Sequence, residues 1–71
     1  MGALEGIVGA NVRRRRKELG LTQEDVAHRS EISVRYLSGI ESGQENVTIA
    51  VLERLAAVLM VEPAGLLVAA S

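Results

Sequence analysis

The chain has 71 residues, 48% of them apolar, but one aromatic, Tyr36, so any core must be built from Leu, Ile, Val and Ala. With no cysteine there is neither a disulfide framework nor a thiolate metal site, and no apolar run reaches the roughly 18 residues of a membrane span. The N-terminus also lacks the basic-then-apolar order of a signal peptide, so a soluble, cytoplasmic, single-domain protein over residues 1–71 is expected.

A chain this short buries only about 60% of the surface it exposes when unfolded, which makes oligomerisation the expected further source of stability. The net charge of −1 argues against a nucleic-acid partner, but its distribution does not. Residues 1–12 carry −1 and residues 36–71 carry −3, whereas residues 13–35 hold seven basic and four acidic side chains, a balance of +3.

Leu4, Ile7, Val8, Val12 and Leu19 recur near helical spacing and predict a first helix over about residues 7–19, stopped by Gly20. Gly2, Gly6 and Gly9 blur its start. Thr22 caps a second short helix, with Asp25 in capping-box position and Val26 and Ala27 on its apolar face as far as about Ser30. Glu31 and Ile32 make a tight connection, and Ser33 caps a third helix whose Leu37 and Ile40 point inward until Gly43.

Residues 43–47 read as a loop. Thr48 then caps a fourth helix with Ile49, Leu52, Leu55, Ala56 and Leu59 on one stripe, and Pro63 opens a last helix carrying Leu66, Leu67 and Val68. The expected architecture is an all-α, compact five-helix bundle with no repeat, low-complexity tract or linker.

Two short helices joined by a tight turn make an ordinary helical hairpin or a helix-turn-helix. The second reading needs a small residue where the helices cross, which Ala27 supplies, with Val26, Ile32, Leu37 and Ile40 filling the corner. It leaves Val34, Arg35, Ser38 and Gly39 on the exposed face of the third helix, available to a major groove.

With LGLTQEDVA leading into SVRYLSGIESG, the chain resembles the phage-repressor and Cro-like helix-turn-helix family over about residues 8–67. The matches include Val12, Arg16, Gly20 to Gln23, Ala27, Ser33, Tyr36 to Ser38, Ile40, Glu41 and Gly43, then Leu52, Ala56, Leu59, Val61, Pro63, Leu66 and Leu67. The resemblance implies a lambda-repressor-like DNA-binding domain with the helix-turn-helix at helices 2 and 3, acting as a homodimer on an inverted-repeat operator in double-stranded DNA. Among free-standing members of this length, it is similar to restriction-modification controller proteins, small phage-type repressors and antitoxins. RNA polymerase is a further partner implied for a transcriptional regulator.

Site roles follow. Val34, Arg35, Ser38 and Gly39 are expected at base edges, and Gln23, Ser33 and Tyr36 at phosphates, with the Tyr36 hydroxyl reaching the DNA. Arg16 is expected to pair with Glu41, while Arg13, Arg14 and Lys17 form a solvated face that adds long-range attraction. The surplus of apolar residues at the C-terminal end points to a dimer interface including Val61, Leu67 and Val68, with Leu66 mainly in the core. The family often has glycine where this chain has Glu31 and Met60, and a long polar residue where it has Gly39.

Catalysis finds no support: there is one histidine, His28, expected at the surface, no phosphate-cradling glycine loop and no paired His or carboxylate motif. No cofactor or metal is expected. An antitoxin or adaptor that binds protein through the same fold is the competing function, and the net negative charge suits it.

Overall fold

The computed structural model describes residues 3–70. Its elements are α1 (Ala3–Glu18), α2 (Gln23–Ser30), α3 (Val34–Glu41), α4 (Ile49–Leu59) and a closing 3-10 helix (Pro63–Leu67). The fold is all-α, with four α-helices where five helices were expected. The last element is one short 3-10 stretch: Pro63 starts it, the Gly65 amide bonds the Glu62 carbonyl at 2.9 Å, and Val68 is already extended. That bond spans i to i−3, the tighter 3-10 pattern, which is common in short closing turns.

The predicted caps form. Thr22, Ser33 and Thr48 each accept a hydrogen bond from the amide three residues on, and Thr22 and Asp25 complete a reciprocal box. Gly20 and Gly43 take positive φ after α1 and α3. Glu31 and Met60 also take positive φ, 61° and 60°, where they end α2 and α4. Each therefore adopts the left-handed conformation for which the family often uses glycine.

α1 begins four residues earlier than expected and runs through both Gly6 and Gly9. Gly9 is buried where α1 crosses α3: a Cβ there would collide with the Ile40 carbonyl oxygen and lie 3.0 Å from that of Glu41. The helix therefore needs glycine at this point to approach its neighbour.

One apolar cluster joins every element, with Val12, Val26, Leu37, Leu55 and Leu59 fully buried at its centre and Leu66 sealing it from the 3-10 helix. On α4 the buried stripe runs through Val51, Leu55, Ala56 and Leu59, with Leu52 half-buried at its edge. Ile49 falls beyond that edge and is 78% exposed, which corrects the expectation that it faces inward.

Two polar side chains on α1 secure the C-terminal half. Asn11, buried, donates through Nδ2 to the Leu66 and Val68 carbonyls, both at 2.9 Å. Arg15 donates through Nε to the Leu59 carbonyl at 2.9 Å, satisfying one of the free acceptors that end α4.

Candidate nucleic-acid interface

The corner between α2 and α3 is closed by Val26 and Ala27 on one helix and Leu37 and Ile40 on the other, all buried. The Ile32 amide returns to the Ala27 carbonyl at 3.0 Å and the Glu31 amide to that of His28 at 3.2 Å, so the turn satisfies the end of α2 from its own backbone. Ser33 then restarts the chain, accepting from the Tyr36 amide at 3.0 Å.

This arrangement presents Val34, Arg35 and Ser38 to solvent, with Gly39 half-buried on the same helix. Arg35 makes no hydrogen bond or ion pair among the described residues. Its guanidinium, with a planar set of five donors, is uncommitted at the exposed start of α3.

α3 is held at its angle by Arg16 of α1. Its Nε lies 2.7 Å from Glu41 Oε2 and its Nη2 3.0 Å from Oε1, with the side chains only 12% and 4% exposed. Nη1 donates to the Leu21 carbonyl at 3.0 Å, which ties in the connection to α2. The hydrogen bond to Glu41 raises the guanidinium above its ordinary pKa, burial opposes this, and the Glu41 charge reinforces it. Gln23 joins the same cluster, its Nε2 donating to Glu41 Oε1 at 3.1 Å, so this residue supports the ion pair from the first turn of α2.

At that helix start Asp25 is acid-strengthened. The Thr22 amide, 2.9 Å from Oδ2, and then the Thr22 side chain hold its carboxyl below the usual carboxylate range.

The basic run divides into committed and free side chains. Arg14 bonds Asn11 at 2.8 Å and stands 3.9 Å from Glu18, Arg15 bonds Leu59 and Glu18, and Arg16 bonds Glu41. Arg13 and Lys17 have no such partner among the described residues. They are one turn apart on α1, and both line a shallow groove with Gln23, Ser38 and Ser42. Composition alone could not separate the five; their partners do, on α1 for Arg14, on α4 for Arg15 and on α3 for Arg16.

Tyr36 behaves differently from the expectation. Its ring packs against the core edge, but its hydroxyl donates to the Asn46 carbonyl at 2.6 Å. A phenol has one hydrogen, so in this arrangement it anchors the α3–α4 loop and has nothing left to donate to a phosphate. His28 is exposed, and no group of three or more potential metal ligands occurs among the described residues.

At the opposite end Leu66 is buried, while Leu67 is 40% and Val68 66% exposed. Val61 is half-buried against the core. Leu4 and Met60 are also exposed, and Leu4, Val8, Leu52 and Leu67 line one apolar groove.

Comparison with known proteins agrees with this geometry. A family model described as helix-turn-helix matches residues 12–66. An uncharacterized HTH-type transcriptional regulator of Sinorhizobium fredii, y4dJ, is 49% identical over 53 residues, which cover 75% of this chain and 69% of that protein. The restriction-modification controller protein C.AhdI from Aeromonas hydrophila superimposes with a TM-score of 0.86 at 35% identity, covering 92% of this chain and 98% of that one. A second controller protein, C.Esp1396I, solved as a tetramer in complex with its natural 35 base-pair operator, matches with a TM-score of 0.83 at 35% identity over 93% of this chain and 87% of that one. The chain belongs to the helix-turn-helix family.

Proposed function

We propose that this chain is a sequence-specific DNA-binding transcriptional regulator of the restriction-modification controller type. The observation that carries the reading is the uncommitted Arg35 guanidinium directly after the Ser33 cap, on a short helix fixed by a buried ion pair. In the proposed complex the N-terminal end of α3 enters the major groove. Arg35 gives paired hydrogen bonds to guanine O6 and N7, and Val34 packs on a thymine methyl. Ser38 lies one turn further along.

From the starts of α2 and α3, Gln23, whose amide keeps one N–H beyond its bond to Glu41, and Ser33 would meet backbone phosphates. Arg13 and Lys17 extend the positive edge beside them. Two copies joined through the end carrying Val61, Leu67 and Val68 set two α3 helices about 34 Å apart, one DNA turn, and so require inverted half-sites. The similarity to C.AhdI, along 98% of that chain, supports the controller assignment. In this reading the protein works in the cytoplasm, and as an activator it would meet RNA polymerase.

Titration of the protein against duplex DNA at two salt concentrations tests the reading. Specific binding should weaken steeply with salt, log K falling with a slope of about −0.9 per phosphate contacted. An antitoxin or adaptor that uses this fold for protein contacts would show no duplex binding at either concentration.

A further inference from the structure

Beside Ser38, the exposed face of α3 lacks a side chain at Gly39, and the following loop fills that space. Gly39 lies four residues after Arg35 and shares its face. A Cβ built on Gly39 would stand 2.5 Å from Glu45 Cγ and 3.4 Å from both Cδ and Oε2, so the Glu45 side chain occupies the volume that a residue at 39 would take.

The loop beneath Glu45 is tied to α3 on both sides. The Gln44 amide donates to the Gly39 carbonyl at 2.8 Å, and the Tyr36 hydroxyl donates to the Asn46 carbonyl at 2.6 Å. Glu45 itself is exposed, and its carboxylate has no hydrogen bond or ion pair among the described residues. A residue between two anchored neighbours, with free acceptors beside the Arg35 face, is presented in a defined place.

We infer that Glu45 is a base-reading residue, substituting for the missing side chain at Gly39 and accepting a hydrogen bond from the exocyclic amine of cytosine. This rests on the placement of α3 in the major groove proposed above. A carboxylate is acceptor-only, and only cytosine and adenine offer a donor in that groove. Adenine sets its N7 acceptor beside the donor and repels a carboxylate, which leaves cytosine. The Gly39 and Glu45 pair thus supplies from a loop what other sequences place on the helix.

Selection from randomised duplexes with wild type, Glu45→Ala, Glu45→Gln and Gly39→Ala tests the inference. Wild type should select cytosine at one symmetric pair of positions, distinct from those read by Arg35. Glu45→Ala should lose that preference by at least about fivefold. Gly39→Ala should lose it as well, because its methyl displaces the Glu45 side chain; alanine favours the helix, so folding is not at risk. Glu45→Gln, now donor and acceptor, should admit adenine. A consensus unchanged in Glu45→Ala and Gly39→Ala, with affinity for all duplexes raised uniformly in Glu45→Ala, overturns the role of Glu45: the carboxylate would then only repel phosphates. Wild type that selects no sequence overturns the DNA-binding reading itself.

Discussion

Arg16 and Glu41 meet across α1 and α3 as a two-bond pair, Nε to Oε2 at 2.7 Å and Nη2 to Oε1 at 3.0 Å, with both side chains almost wholly removed from solvent. Gln23 and the Leu21 carbonyl satisfy further positions around it, so three helices converge on one charge pair. Removing one partner strands the other. Arg16→Met should cost about 3–5 kcal/mol, a large share of the stability of so small a fold. Arg13→Met, which breaks no contact of this kind, should stay within about 0.5 kcal/mol of wild type. Urea denaturation of the two variants checks this, and equal midpoints would mean that the pair contributes nothing.

Gly6 and Gly9 lie on the same helix and should respond oppositely to alanine. A methyl at Gly6 meets nothing within 4 Å, so Gly6→Ala should stabilise α1 by up to about 1 kcal/mol. At Gly9 the methyl runs into the backbone of α3, which cannot move as a side chain can, and Gly9→Ala should destabilise by about 1–3 kcal/mol. Thermal melts of the two variants give the comparison.

Glu31 and Met60 hold left-handed conformations at the ends of α2 and α4. An L-residue loses roughly 1–2 kcal/mol there, which glycine recovers in part because its unfolded chain is more flexible. Glu31→Gly and Met60→Gly should each raise the urea midpoint, by about 0.5–1 kcal/mol, and being at separate helix ends they should add. No gain in either would show that the turns are not strained.

The lowered Asp25 pKa makes stability depend on pH in a defined direction. Because the folded value lies below the unfolded one, near 3.9, the ionised carboxylate contributes fully above about pH 4 and the contribution is lost as pH falls through the folded value. Asp25→Asn should therefore be less stable than wild type at neutral pH, with the difference shrinking on acidification below about pH 4. Melting temperatures that stay parallel from pH 7 to about pH 3 would contradict this linkage.

Local chemistry made much of this legible. Thr22, Ser33, Thr48, Gly20 and Gly43 mark helix ends through side-chain or backbone preferences that act over three or four residues. Features that depend on distant neighbours were not legible: Gly9 looks like a weak helix former until α3 lies against it, and Arg15 and Arg16 look like the other bases of the run until their acceptors on α4 and α3 appear. The Arg16 and Glu41 pair came from family resemblance, since 25 residues of separation carry no local signal. Tyr36 has an acceptor on both sides of the decision, DNA or Asn46, and only the path of the loop decides between them.

Sequence selection with wild type and Arg35→Ala tests the central claim, that the start of α3 reads base edges. Wild type should enrich inverted half-sites containing a symmetric pair of guanines, and Arg35→Ala should lose preference at those guanines alone, by about 1–3 kcal/mol, while the rest of the consensus survives. Uniform weakening across all sequences with the guanines still selected would make Arg35 a phosphate contact and contradict the assignment.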